Sequence, residues 1–312
     1  MMKGVATFML GLLKSENRIN LILACLLLCC LLPVAAFGGA SGDKPRIAVG
    51  YSTQMFVDID VKDAAAATKI WTSEVGAQAG LQPENHMYDD AQKLIYDFNK
   101  GVLDIATFPV LAYFRNESAL QGDPAFIGVK NGKATQRYII VVSADNRDVS
   151  IKALKGSRLA ITQNDTMSSL YLNIVLLRQH QPEMDQFFSA VLNKPKPSQA
   201  INAVYFGSAD ICVTTEQAFQ TMTEMNPQVG RKLRIISTSP GLLQGISLYR
   251  NEYPKALRKR IETVVYNMKN YPRGKQVLTL FQCDDLAIPG SNDLIATRQL
   301  YLEYRRLKGK LL

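Results

Sequence analysis

The chain has 312 residues, of which 47% are apolar and 20% charged, with a formal net charge of +9. This is the make-up of an ordinary globule of one large or two medium domains. Its basic residues are scattered, apart from Arg298, Arg305, Arg306, Lys308 and Lys310 near the end, and lack the interleaved aromatics of a nucleic-acid surface.

In chain order, Lys3, Lys14 and Arg18 precede an uncharged run over 21–40 that is broken by Pro33 and ends in Val34-Ala35-Ala36 and Gly38-Gly39-Ala40. A basic front, an apolar middle and small residues behind it make a secretory signal over 1–36, with cleavage after Ala36 or, as a second candidate, Gly38. Retention as an anchor is the alternative, because a run of this length can span a bilayer; Pro33 and the glycines favour cleavage. Lipidation at Cys25 ranks last, since it would leave a hydrophobic tail on the mature chain. Without 1–36 the charge is about +7, a field that gathers small anions.

Cys25, Cys29 and Cys30 lie in that leader, and only Cys212 and Cys283 belong to the folded part. An exported chain can join them, or they can be two buried thiols. With His86 and His180 far apart, no zinc-ligand spacing exists.

Past the leader, strands and helices alternate. Strands are predicted over 46–51, 84–88, 103–108 and, rich in β-branched residues, 136–143. Helices are predicted over 60–80, with Asp60 and Asp63 in the first turn and Gly80 at the end, over 91–99, and over 109–115 behind Pro109. The pattern then begins again: strands over 158–162, 209–213, 233–237 and 245–249, helices over 166–180, 197–206 and 216–225. Three helices (254–271, 275–281 and 293–308) finish the chain. Such alternation argues for parallel α/β layers. The segment 98–108 also echoes 204–214: each is a helix end, a glycine (Gly101, Gly207), then a strand opening with Asp104-Ile105 or Asp210-Ile211. We read two similar α/β halves.

The helix start after the 158–162 strand carries Thr166, Ser168 and Ser169. Free amides and a partial positive charge favour an anion there, and hydroxyls add donors; the same residues also serve as plain helix caps.

Several segments, in order, resemble one family: Arg46-Ile47-Ala48-Val49-Gly50, the helix with Ala66, Lys69 and Trp71, the segment 101–106, Leu154-Lys155-Gly156, the hydroxyl turn, 207–211, and Tyr271-Pro272-Arg273-Gly274-Lys275. The chain is similar to the periplasmic phosphonate/phosphite/phosphate-binding proteins, the receptors of ABC importers. The resemblance implies a two-lobed α/β fold with ligand between the lobes, the closed form being favoured by contacts to both. Lobe I is then 44–141 with 246–312, lobe II is 142–245, the crossings fall at 140–144 and 240–247, and the last helices return to lobe I.

In that family the turn reads Ser-Thr-Ser-Gly and grips the phosphonate oxygens. Here it is Thr166-Met167-Ser168-Ser169 with Asp165 directly before it. A carboxylate there repels phosphonate unless it turns away as the helix cap, so a sulfonate or another ligand stays open. Strand ends supply the other candidates: Tyr51 and Ser52, Thr107 with Tyr113 one turn on, and Thr214 with Glu216, where the family often places a polar or acidic residue.

The implied function is an extracytoplasmic binding protein that delivers a small oxyanion to an ABC permease, periplasmic and monomeric, without cofactor, catalysis or nucleic acid. A tethered ligand sensor of the same fold is the alternative if the leader is retained. An enzyme reading lacks support: Gly-x-Ser-x-Gly, a phosphate-cradling Gly-rich loop and Gly-x-Gly-x-x-Gly are all missing.

Overall fold

The computed structural model describes residues 44–57, 59–146 and 150–309. The leader reading, on 1–36, lies outside them.

The first sheet is built on β1 (Arg46–Ser52), β2 (Gln82–Tyr88) and β3 (Ile105–Pro109), which run parallel in the order β2-β1-β3. Between them run α1 (Val61–Ala79) and α2 (Ala91–Asn99). Asp60 caps α1 by accepting the Lys62 amide at 2.8 Å, and Gly80 ends it at φ 65°, a left-handed backbone that a side chain would strain. After α3 (Val110–Asn116) comes β4 (Gly122–Val129). The sheet is completed antiparallel, β3-β10-β4-β11, by β10 (Gly245–Arg250) and β11 (Asp285–Ala287).

The second sheet repeats this plan. β6 (Arg158–Thr162), β7 (Ala190–Lys194) and β8 (Ile211–Thr215) run parallel in the order β7-β6-β8. β5 (Tyr138–Ser143) and β9 (Leu233–Thr238) follow antiparallel. Its helices are α4 (Thr166–Arg178), the single turn α5 (Met184–Phe187), α6 (Pro197–Tyr205), α7 (Glu216–Met225) and α8 (Pro227–Lys232). In each half a chain arriving from the other sheet (β10 or β5) fills the slot beside the parallel trio.

The crossings differ from expectation at the first passage. The expected stretch 140–144 lies mostly in β5, which pairs on both sides within the second sheet. The chain crosses instead over 130–137, and returns over 239–244. The two crossings hold each other: the Gln136 amide donates to the Leu242 carbonyl at 2.9 Å, and the Leu242 amide donates back at 2.8 Å.

The end of the chain divides too. α9 (Lys255–Asn267) and α10 (Pro272–Leu280) pack against α1. α11 (Ser291–Lys308) does not return to the first sheet alone but lies along α4. It is tied by ion pairs to both sides: Arg178 to Glu303 at 2.8 Å, and Arg298 to Glu117 just past α3. Its Thr297 hydroxyl, fully buried, accepts the Leu243 amide of the second crossing at 2.9 Å.

One continuous buried cluster includes Phe108, Val110 and Leu111 from the first half, Leu159, Ile161 and Met167 from the second, and Leu242 and Leu243 between them. Cys212 and Cys283 are separate buried free thiols, each pushed up to about 12 by burial, so of the two readings the unpaired one holds. No helix among the described residues is long and apolar enough to cross a membrane.

Candidate functional site

The turn from β6 into α4 is set by two residues. Asn164 takes φ 61°, a conformation its short amide tolerates, and Asp165 then caps the helix. Asp165 Oδ1 accepts the Ser168 amide at 3.0 Å, and Oδ2 accepts the Ser168 hydroxyl at 2.5 Å. Asp165 is 8% exposed; burial raises its pKa, opposed by the hydrogen bonds from Ser168. The carboxylate thus does act as the cap.

This arrangement divides the three hydroxyls. Ser168 is fully buried with its proton committed to Asp165. Ser169 donates to the Asp165 carbonyl at 3.1 Å. Thr166 is exposed and has no side-chain partner among the described residues. Met167, the departure in the turn, is 4% exposed and belongs to the cluster between the halves.

Thr166 and Ser169 line a pocket of about 230 Å³. Its far wall is Leu111 and Arg115 of α3, from the first half; Thr162, Asn164, Asp165, Asn173 and Asn193 supply the polar wall on the second, and Tyr304 of α11 lies at the side. Arg115 is exposed and has no ion pair among the described residues. An arginine that shares a pocket with hydroxyls and amides suits a small oxyanion. A larger open depression of about 290 Å³ on α6, around Lys194, Asn202 and Phe206, contains none of the nine expected residues.

The other candidates lie elsewhere. Tyr51 points into the first half's core, where its hydroxyl bonds Thr72 at 3.0 Å. Ser52 is fully buried and accepts the Gln54 amide at 3.3 Å, capping a short turn. Thr107 and Ser247 share a hydroxyl hydrogen bond of 2.8 Å across β3 and β10. Tyr113 donates to Glu117 at 2.8 Å. Thr214 is 1% exposed, its hydroxyl without a partner among the described residues. Glu216 opens α7 and meets Arg137 of the first crossing at 3.4 Å. Only Thr166 and Ser169 of the nine line the pocket. Arg115, Asn164, Asn173, Asn193 and Tyr304 are not among the sequence candidates, and nothing in their local patterns marks them.

A family model described as "ABC transporter, phosphonate, periplasmic substrate-binding protein" matches residues 56–293. The chain belongs to this family. As a family of substrate-binding transport components, it places this binding protein at the periplasmic side of an ABC importer. No curated protein matches the sequence. Among solved structures, a binding-protein component of a phosphonate ABC transporter from Pseudomonas aeruginosa aligns with TM-score 0.63 and 17% identity, covering 85% of this chain and 88% of that one. PhnD1 from Prochlorococcus marinus, in complex with methylphosphonate, aligns with TM-score 0.62 and 16% identity over 84% and 98%. A Xanthomonas citri protein bound to ATP aligns with TM-score 0.64 and 15% identity over 84% and 98%. At these identities the likeness establishes the shared two-sheet α/β fold.

Proposed function

We propose that this binding protein captures a small oxyanion of the phosphonate class in the pocket between α3 and the β6–α4 turn, and delivers it to an ABC permease. The two sheets are its two lobes, divided at the crossings 130–137 and 239–244. It works in the periplasm as a monomer once the leader is removed, and carries out no catalysis. The supporting observation is that Arg115 from one half lines the same pocket as Thr166, Ser169 and three asparagines from the other. An anion bound there touches both lobes, which is the condition for ligand to favour the closed form. Donors enclosed when the lobes close, and left unpaired by a wrong ligand, supply the selectivity.

A thermal-shift panel of phosphate, phosphite, methyl- and aminoethylphosphonate, sulfate and short sulfonates tests this. Ligand at roughly 1,000 times its Kd adds about 4 kcal/mol, a shift of several degrees or more for a chain of this size. Such a shift with at least one oxyanion is expected; silence across the panel would contradict the proposal.

A further inference from the structure

We propose that Asp165 is a specificity-determining residue that restricts the pocket to singly charged oxyanions, an inference that rests on the oxyanion reading above. The start of a helix offers free amides and a partial positive charge to an incoming anion. In α4 that position is already held by the protein's own carboxylate, which accepts both the amide and the hydroxyl of Ser168. Asp165 is buried and also forms part of the pocket wall.

The charge balance of the wall follows. Arg115 is the one cation among the lining residues and Asp165 the one anion; the remaining polar groups are neutral hydroxyls and amides. A monoanion pairs with Arg115 and takes neutral donors from Thr166 and the asparagines. A dianion brings a second negative charge into a small space already walled by the Asp165 carboxylate, and the lining residues include no second cation to offset it. At separations of a few ångströms and the effective dielectric of a partly buried site, that repulsion amounts to about tenfold or more in affinity. The same carboxylate explains why Ser168 cannot offer its proton to ligand.

Methanesulfonate and sulfate separate charge from shape, since both are tetrahedral sulfur oxyanions and carry one and two charges at neutral pH. Titration calorimetry at constant pH would compare the wild type, Asp165→Asn and Asp165→Ser, both replacements being good helix caps. The wild type is expected to prefer methanesulfonate by about tenfold or more. Both variants are expected to gain sulfate affinity by a similar factor, with methanesulfonate changing less. Equal or tighter sulfate binding by the wild type would overturn the proposal, as would folded variants that keep the wild-type ratio. If neither variant folds, the wild-type ratio alone decides in the same sense. Binding without charge discrimination removes only this proposal; no binding of either anion, or of methylphosphonate, by any of the three proteins removes the oxyanion reading with it.

Discussion

Asp104 and Asp210 make the same contacts in the two sheets. Asp104 Oδ2 accepts the Ala48 amide of β1 at 2.9 Å while its own amide donates to the Ala48 carbonyl at 2.8 Å. Asp210 Oδ2 accepts the Arg158 amide of β6 at 2.8 Å while its amide donates to the Arg158 carbonyl at 2.9 Å. Each follows a glycine at φ 74° and each pairs with an arginine, Arg250 or Arg158. The echo in the sequence is thus a repeated device that satisfies a strand amide and registers β3 on β1 and β8 on β6.

Removing the device should cost stability and spare ligand binding. Asp104 is the more buried partner, with 18% of its side chain exposed. Asp104→Ala is expected to destabilise by about 1–3 kcal/mol, the cost of an unpaired buried amide and a lost charged hydrogen bond. Asp210→Ala should act in the same direction and more weakly. Urea unfolding read by circular dichroism checks both; an unchanged midpoint for Asp104→Ala would contradict this role.

Thr166→Ala and Ser168→Ala should separate binding from folding. The Thr166 hydroxyl belongs to the pocket lining and has no partner among the described residues, so its loss is expected to weaken oxyanion binding by about 1 kcal/mol and leave the melting temperature in place. The Ser168 hydroxyl serves the Asp165 cap, so its loss should lower the melting temperature. Calorimetric titration and thermal unfolding of both variants give the comparison; the reverse pattern would mean that ligand contacts Ser168.

Thr214→Val replaces a buried hydroxyl, without a partner among the described residues, by a methyl of similar shape. Neutral or slightly raised stability is expected, with ligand affinity unchanged. A drop in affinity would return Thr214 to the binding site.

Acid should loosen the strap formed by α11. Hydrogen bonding to Arg298 holds the Glu117 carboxyl below its ordinary value. A group depressed in the folded state contributes fully above its unfolded pKa, near 4.3 for glutamate, and that contribution is lost as pH falls through the folded value. Stability measured by urea unfolding between about pH 6 and pH 3 should therefore decline at the acid end, and Glu117→Gln should make that decline shallower. Identical slopes for the two proteins would contradict the link.

Much of the fold was legible in the sequence because its punctuation is local. Asp60 and Gly80 bound α1, Asp90 opens α2, and β5 is a run of β-branched residues. β4 is hidden in the sequence because Gly122, Asp123 and Pro124 read as a turn; at its start they pair with the end of β10. β7 is a short edge strand whose half-exposed residues lack alternation. The site was harder. Tyr51 stands at a strand end, yet the period of two puts it on the face of Ile47 and Val49, which is core. Thr214 shares its face with Cys212 for the same reason. Arg115 is a cation in the last turn of a helix, an ordinary complement to the dipole, and only the pocket that α3 shares with the start of α4 gives it a second meaning.

The most direct measurement is a crystal structure of the protein with its tightest-binding oxyanion from the panel. The account requires the anion's density between Arg115 and Thr166, within hydrogen-bonding distance of both. Density elsewhere, at Tyr51 and Thr107 or between Arg137 and Glu216, would contradict it.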